Sequence, residues 1–325
     1  MRDEWGRSIH YLRLSVTDRC NLRCRYCMPE GVASCEHGDV LTYEEFLRLA
    51  RLFAACGVDT VRVTGGEPLV RREVHKLVAG LKQTPGIRRV ALTTNGVLLA
   101  EQLPDLLAAG LDSVNISLDA LSPGVYRAIA GRDELEATRR GIRAALEGGL
   151  PVKLNCVPQP GLNETELLPL AALARQLPLQ VRFIEMMPIG CGAAQPSLSG
   201  QEVLARLQAQ WPELAPLPAA QAARFGDGPA VYYSAPGWQG SVGLIMAVHG
   251  KFCASCNRVR LTSRGFLRPC LASEMGADLR TPLRAGASDA ALLETIRQTI
   301  WKKPQEHHFE SENSPRTQGM YRIGG

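Results

Sequence analysis

The sequence predicts an α/β protein built on an incomplete (β/α)6 TIM-like barrel, followed by a C-terminal α+β extension. Three observations support this fold class. Six short β-rich segments alternate with helical stretches over the first 190 of the 325 residues, a pattern typical of parallel βαβ units. A closed eightfold barrel needs about 250 residues, so the barrel is expected to be open. The alternation stops after Pro188.

The strands are predicted where β-branched and apolar residues cluster between turn-forming residues. Along the chain they are Leu12–Thr17, Thr60–Thr64, Val90–Thr94, Ser113–Leu118, Val152–Val157 and Val181–Glu185. Apolar residues three and four positions apart predict helices between them, among them Thr42–Ala55, Glu73–Lys82 and Asp133–Leu146. Thr42 and Glu45 have the spacing of a capping box, which marks the start of the first of these helices.

We expect two domains, residues 1–190 and residues 191–325. The segment Gly190–Gly200 is small and polar, as is typical of a linker. Beyond it, the pattern predicts helices near Glu202–Trp211 and Ala290–Trp301, and strands near Val231–Ser234 and Val242–Val248.

Composition and charge exclude several classes of protein. With 45% hydrophobic and 21% charged residues the chain is expected to fold. A net charge of +5 and 6% aromatic residues do not fit a dedicated nucleic-acid binder. The longest apolar run, Val242–Val248, is far shorter than the roughly 20 residues of a membrane helix. Met1–His10 has no apolar signal-peptide core, so we expect a cytoplasmic protein with no membrane and no nucleic-acid partner.

Cysteine is the most informative residue type. Ten cysteines in 325 residues are too few for a disulfide scaffold, and clustered thiols in a reducing compartment indicate metal binding or chemistry. Six of the ten form two triads, which are Cys20, Cys24 and Cys27, and Cys253, Cys256 and Cys270. The other four are expected to be small buried residues, with Cys191 the most exposed; they are Cys35, Cys56, Cys156 and Cys191.

The first triad has the spacing C-x3-C-x2-C and follows the first predicted strand directly. In a β/α barrel this loop opens onto the face where active sites lie. A [4Fe–4S] cluster usually has four cysteine ligands, so three thiolates leave one iron open to a small molecule. Structural zinc, for which His37 is the one nearby fourth ligand, and unrelated buried cysteines are the alternatives.

The second triad has the spacing C-x2-C-x13-C. His249 lies four residues before Cys253, and together with the triad it would complete a four-ligand zinc site. The spacing alone therefore leaves both zinc and a second three-cysteine iron–sulfur cluster open.

The first triad, with Tyr26 just before its last cysteine, resembles the radical S-adenosylmethionine superfamily. Thr64-Gly-Gly-Glu-Pro68 after the second strand resembles the GGEP motif of that superfamily. The resemblance implies that the open iron chelates S-adenosylmethionine and that one electron releases a 5′-deoxyadenosyl radical. It also implies cofactor contacts from Tyr26, Gly66, Glu67, Ser117 and Met187, with Met186 as the alternative in motif register.

The segment CxxCNRVRLT, a following cysteine and a Gly-Gly terminus, together with the first triad, resemble the GTP 3′,8-cyclases over nearly the whole chain. This resemblance implies a second [4Fe–4S] cluster, held in the C-terminal extension, whose open iron binds guanine. It implies GTP contacts from Arg13, Arg62, Thr93, Lys153, Arg258, Val259, Arg260, Gly324 and Gly325. Catalytic assistance is assigned to Arg258, Arg260 and Arg13.

Two of the arginines can also be argued from their positions. Arg13 and Arg62 alternate with apolar residues on predicted strands, so each should project into the barrel, where an unpaired charge is costly and a bound phosphate would satisfy it.

The implied reaction is the first step of molybdenum cofactor biosynthesis. The radical removes the 3′ hydrogen of GTP, the ribose radical adds to C8, and reduction gives 3′,8-cyclo-7,8-dihydro-GTP. Implied partners are a flavodoxin- or ferredoxin-type electron donor and the downstream cyclic pyranopterin monophosphate synthase, and the resemblance allows a homodimer. The competing hypotheses are a peptide-maturing radical enzyme with an auxiliary cluster and a non-enzymatic metal protein that binds nucleic acid.

Overall fold

The computed structural model describes residues 1–31, 37–226, 228–309 and 319–324. The strands within these ranges are β1 Tyr11–Ser15, β2 Thr60–Thr64, β3 Arg89–Thr94, β4 Ser113–Ser117, β5 Val152–Cys156, β6 Gln180–Ile184, β7 Ala215–Pro216, β8 Val231–Ser234, β9 Ser241–Ile245, β10 Arg258–Leu261, β11 Phe266–Arg268 and β12 Ala277–Asp278. The helices are α1 Tyr43–Ala55, α2 Val74–Lys82, α3 Leu99–Ala108, α4 Pro123–Ala130, α5 Leu135–Glu147, α6 Leu167–Gln176, α7 Gly200–Gln210, α8 Ala219–Ala222, α9 Arg280–Arg284 and α10 Asp289–Trp301.

All of these strands belong to one sheet, in the order β12-β11-β10-β1-β2-β3-β4-β5-β6-β9-β8-β7. The run from β10 to β9 is parallel throughout, and the outer strands on both sides are antiparallel. In the described ranges no pairing joins β12 to β7, so the sheet is open. The predicted incomplete barrel is confirmed, and the C-terminal region adds β9 and β10 as further parallel strands beside the six predicted ones.

The six predicted strands are present with their ends within two residues of the prediction. Their side chains alternate between two environments, as the pleat requires. On β1, Leu12 and Leu14 are completely buried in the hydrophobic core, whereas Arg13 between them faces the barrel interior. The alternation that the sequence shows on this strand is therefore an alternation between core and cavity.

Helix α1 begins with the capping box that the sequence predicts. The Thr42 hydroxyl accepts a hydrogen bond from the Glu45 amide at 3.2 Å, and the Glu45 carboxylate accepts one from the Thr42 amide at 2.7 Å. Two amide groups at the helix start, which have no partner within the helix, are thereby satisfied.

We predict that Thr42→Ala lowers the free energy of unfolding by about 1 kcal/mol, because the N-cap hydrogen bond is lost. Thr295→Ala is the matched control, since Thr295 lies within α10 and its hydroxyl donates only to the Ala291 carbonyl one turn earlier. Chemical denaturation of both variants measures the difference. Equal stability of the two variants would contradict a stabilising role for the capping box.

The parallel topology separates the two cysteine triads. Carboxyl ends of parallel strands lie at one end of a barrel, and Cys20 follows β1 at that end. Cys256 precedes β10, which runs parallel to β1 with Arg258 opposite Tyr11, so Cys256 lies at the amino end. Cys270 follows β11, which is antiparallel to β10 and ends on the same side. The triads therefore lie at opposite ends of the barrel.

The other cysteines lie mostly as expected. Cys56 and Cys156 are buried and Cys191 is exposed, while Cys35 lies outside the described residues. The predicted linker starts with a short 3-10 turn over Gly190–Ala194, and its residue Gly192 is buried on the cavity wall. Among the described residues, no helix combines the length and apolarity needed to cross a membrane.

Candidate active site

A cavity of about 900 Å³ runs through the barrel and contacts both triads. Most of the residues that the sequence singles out line it. They are Arg13, Cys20, Cys24, Tyr26, Cys27, Arg62, Gly66, Thr93, Ser117, Lys153, Met187, Cys253, Cys256, Arg258, Arg260 and Cys270. Glu67, Val259 and Gly324 do not contribute to the wall, and Gly325 lies outside the described residues.

The first triad lies on a tight loop held by its own backbone. The Cys24 carbonyl accepts hydrogen bonds from the amides of Cys27 and Met28 at 2.9 and 2.8 Å. Burial raises the pKa of all three thiols, that of Cys27 to about 12, and the nearby triad sulfurs also raise the pKa of Cys24 and Cys27. Three partly buried thiols, which repel one another when they become thiolates, form a donor set that a positively charged metal centre would stabilise.

Among the described residues, no three His, Cys, Asp or Glu side chains are grouped as ligands of a metal ion. A cubane cluster is larger than an ion and needs donors that stand farther apart. The first triad fits such a cluster by its chemistry, because all three thiols lie on one loop and face one cavity.

Hydrogen bonds to the Cys20 sulfur come from two directions. The Leu22 amide donates from the triad loop itself at 3.4 Å, and the Asn95 side-chain amide donates at 3.8 Å from the loop after β3. Asn95 also donates to the Asn21 side chain at 2.7 Å. Donors to a ligand sulfur orient it and adjust the electronic properties of the metal centre.

The GGEP motif packs against the loop that leads into the first triad. A Cβ on Gly66 would lie 2.5 Å from the Arg19 carbonyl oxygen and 2.6 Å from that of Asp18, so only glycine fits here. The Glu67 carboxylate is not part of the cavity wall. It accepts hydrogen bonds from the backbone amide of Asn95 at 2.6 Å and from the Thr94 hydroxyl at 2.8 Å. Burial raises the pKa of Glu67 to about 7.

Tyr26 is anchored from the opposite side of the barrel mouth. Its hydroxyl donates to the Asp119 carboxylate at 2.8 Å, and the Val157 amide donates to the other oxygen of that carboxylate at 2.8 Å. Burial raises the pKa of Asp119 to about 6. Asp119 follows β4 two residues after Ser117 and lines the cavity, so it links the triad loop to the wall formed by β4 and β5.

Met186 and Met187 both line the cavity after β6. Met186 is 7% exposed, and its amide donates to the Ser197 hydroxyl at 3.2 Å. Cofactor contact by Met187 therefore stays a prediction, with Met186 as the alternative.

The second triad lies in a more cationic environment than the first. Burial raises the pKa of Cys256, but the nearby charges of Arg258 and Lys303 outweigh burial and lower it to about 7. His249, the candidate zinc ligand, lies against Glu185 with its Nδ1 atom 3.2 Å from the carboxylate and does not line the cavity. The histidine beside this triad is His307, whose backbone amide donates to the Cys253 sulfur.

Guanidinium groups crowd the centre of the cavity. Burial and the neighbouring charge of Arg260 hold the pKa of Arg13 well below its usual value, and burial and Arg258 lower that of Arg260 to about 9. Arg62 and Arg182 enter the same space from β2 and β6. Mutual repulsion of this kind is relieved by a polyanion, and Arg forks bind phosphate well.

The carboxylates on the cavity wall have other partners. Asp112 accepts two hydrogen bonds from Lys82, Glu185 accepts three backbone amides, and Asp119 is held as described above. Lys153 adds another cation and donates to the Phe225 carbonyl. The cavity therefore presents positive charge to a ligand.

The C-terminal residues enter this cationic region. The Gly324 carbonyl accepts hydrogen bonds from Arg13 at 3.0 Å and from Arg260 at 2.9 Å, so the tail reaches two of the arginines that are predicted to bind GTP. Three residues earlier, the Tyr321 backbone amide donates to the Cys27 sulfur. The tail therefore spans from the first triad to the arginines.

Sequence reasoning missed several residues of this site, among them Tyr11, Asn95, Asp119, Arg182, Lys303 and His307. Arg182 had a usable signal, because it alternates with apolar residues on β6 as Arg13 does on β1. The others have no local pattern that would distinguish them.

Two family models match the chain and meet just before β6. The Radical SAM superfamily model matches residues 14–174, and the Molybdenum Cofactor Synthesis C model matches residues 179–309. A Heliobacterium modesticaldum protein named GTP 3′,8-cyclase is 47% identical over 336 residues, covering 100% of both chains. This chain belongs to the GTP 3′,8-cyclase family.

Other relatives agree with this assignment. A GTP 3′,8-cyclase from Moorella thermoacetica is 46% identical, again over 100% of both chains. Molybdenum cofactor biosynthesis protein 1 from Bos taurus is 46% identical over 94% of this chain and 48% of its own length. Each of the two family models contains one of the triads within its range.

Two solved structures of low sequence identity share the fold of this chain. Streptococcus suis SuiB bound to S-adenosylmethionine matches with a TM-score of 0.63 at 15% identity, over 97% of this chain and 77% of SuiB. Native anSMEcpe with bound AdoMet matches with a TM-score of 0.56 at 14% identity, over 89% and 84%. These likenesses support the radical enzyme fold alone.

Proposed function

We propose that the cavity through the barrel is the site where this GTP 3′,8-cyclase family enzyme cyclises GTP to 3′,8-cyclo-7,8-dihydroguanosine 5′-triphosphate, the first step of molybdenum cofactor biosynthesis. The observation that carries the proposal is the shared cavity. It contacts a thiol triad at each end, and a group of arginines, of which Arg62, Arg182 and Arg260 are buried, lies between them.

Membership of the radical S-adenosylmethionine superfamily implies a [4Fe–4S] cluster and S-adenosylmethionine. Cys20, Cys24 and Cys27 would hold this cluster. When bound, the cluster and its cofactor supply the one-electron cleavage that generates a hydrogen-abstracting radical. The remaining work of the chain is to bind, orient and exclude water from the reactants.

The chain's own residues divide this work along the cavity. The cofactor would be bordered by Tyr26, Gly66, Ser117 and Met187. Glu67 would position Asn95, which donates to the Cys20 sulfur. Arg13, Arg62, Thr93, Lys153, Arg258 and Arg260, with the backbone of Val259, Gly324 and Gly325, would bind GTP. Arg13, Arg258 and Arg260 would in addition stabilise charge during the reduction that completes the product. Support comes from the depressed pKa values of Arg13 and Arg260, which an anionic ligand would relieve.

Cys253, Cys256 and Cys270 would hold a second [4Fe–4S] cluster with one iron open to the guanine base. Support comes from their placement on the same cavity and from the lowered pKa of Cys256, which favours the ligating thiolate. The proposal further includes a low-potential electron donor of the flavodoxin or ferredoxin type and transfer of the product to cyclic pyranopterin monophosphate synthase. It also includes a homodimer and a cytoplasmic location. Residues 1–190 would form the radical domain, and residues 191–325 would supply the second cluster and much of the GTP site.

An anaerobic assay tests the proposal. Reconstituted protein receives dithionite and S-adenosylmethionine with GTP, with ATP or with neither, and 5′-deoxyadenosine and nucleotide products are quantified. We expect stimulation by GTP alone and a new cyclised nucleotide. Equal cleavage in all three samples would refute the GTP assignment and favour a peptide substrate, and absence of cleavage with a loaded cluster would refute radical chemistry at the first triad.

A further inference from the structure

Lys303 is a buried cation at the end of the cavity that holds the second triad. It lies two residues after the end of α10, is only 2% exposed, and lines the cavity. Its ammonium group donates to the Arg258 carbonyl at 2.9 Å and to the Pro269 carbonyl. These two carbonyls flank the triad, since Arg258 follows Cys256 by two residues and Pro269 precedes Cys270.

The partners of this ammonium group are neutral. Within the described ranges, no carboxylate oxygen lies within 4.0 Å of the Lys303 nitrogen. Burying a charge without an opposite charge nearby is costly. Its two hydrogen bonds hold the charge beside the second triad, between the segments that carry Cys256 and Cys270, and the triad thiols become anionic when they ligate metal.

Several contacts fix Lys303 in this position. The indole nitrogen of Trp5 donates to the Lys303 carbonyl at 3.0 Å. Arg7, paired with Asp3, donates to the Cys253 carbonyl at 3.0 Å and to the Lys303 carbonyl at 3.3 Å. One arginine therefore ties the backbone of the lysine to the backbone of a triad cysteine, and the distance between them cannot vary freely.

We propose that Lys303 is a positioning residue of the second triad, whose buried ammonium group supplies the counter-charge for the metal-bound thiolates of Cys253, Cys256 and Cys270. This inference rests on the proposed second cluster. A fixed positive charge stabilises the more negative, reduced state of a nearby cluster and so raises its reduction potential.

The test compares Lys303→Met with Lys302→Met in the reconstituted full-length protein. Methionine keeps the length and flexibility of the side chain and removes its charge, and Lys302 is the exposed neighbour. Iron per chain is determined first. The reduction potential is then followed by EPR for the signal that does not change on addition of S-adenosylmethionine, which belongs to the second cluster.

We expect Lys303→Met to shift this potential to a more negative value or to lose the second cluster's iron, whereas Lys302→Met behaves as wild type. The potential of the signal that responds to S-adenosylmethionine should not change. An unshifted second potential with full iron content in Lys303→Met would overturn the inference. Lys303→Arg keeps the charge, and we expect its second-cluster potential to stay near the wild-type value. This variant separates loss of charge from a purely steric effect of the substitution.

Failure of the proposed second cluster gives a different result from failure of the inference about Lys303. If wild-type protein binds only one cluster per chain, the second triad holds no cluster and the role of Lys303 falls with it. If wild-type protein binds two clusters and Lys303→Met leaves both potentials unchanged, the second cluster stands and only the inference about Lys303 is wrong.

Discussion

Cys24→Ala is expected to abolish the reductive cleavage of S-adenosylmethionine, with a loss of at least about 100-fold in 5′-deoxyadenosine formation, the upper end of the loss seen when an outer partner of a metal site is removed. Cys24 is the central thiol of the first triad, and the charges of Cys20 and Cys27 both act on it. Its backbone carbonyl, which accepts two hydrogen bonds in the loop, is retained in alanine. The variant therefore removes a ligand while preserving the loop.

Cys56→Ala is the matched control for this experiment. Cys56 is 5% exposed at the end of α1 and does not line the cavity. Its loss should reduce stability slightly and leave deoxyadenosine formation unchanged. Iron content, the visible absorption of the cluster and deoxyadenosine yield are measured for both variants. Full activity in Cys24→Ala, or equal loss in both variants, would show that the first triad is not the catalytic centre.

The barrel strands were predictable because each is a short β-branched run between turn residues. Thr60–Thr64 is observed with its predicted bounds, and it is buried along its whole length. The positions of β9 and β10 at the two sides of the barrel were not predictable. Their parallel partners, β6 and β1, lie far away in the sequence, and local pattern contains no information about such pairing.

The same division between local and long-range information applies to the site. The triads, the GGEP motif and the strand arginines are compact patterns, so the sequence locates them. Lys303 acts through a contact with Pro269, 34 positions away, and Asn95 through a contact with Cys20, 75 positions away. Glu67 belongs to the GGEP motif, but its carboxylate turns toward the end of β3, where it accepts hydrogen bonds from Thr94 and Asn95. These buried donors need an acceptor.

Arg260→Ala is expected to weaken GTP binding by about 10- to 150-fold, since a hydrogen bond to a charged group is worth about 1.5–3 kcal/mol. Arg260 is 8% exposed and lines the cavity from β10. Its neighbours Arg13 and Arg258 remain, so binding should fall rather than vanish. Equilibrium binding of GTP measures the effect, and Arg206→Ala, an exposed arginine on α7, is the control.

The loss of GTP affinity in Arg260→Ala can come from a lost contact with GTP or from release of the C-terminal tail, because the same guanidinium donates to the Gly324 carbonyl. Deleting Gly324 and Gly325 separates them. If Arg260 contacts GTP itself, adding Arg260→Ala to the truncated chain weakens GTP binding further. If Arg260→Ala has no further effect on GTP affinity in the truncated chain, the arginine acts by holding the tail, and its direct contact with the nucleotide is refuted. In Arg260→Ala, cleavage of S-adenosylmethionine without GTP should persist, because β10, which carries Arg260, contributes no ligand to the first triad.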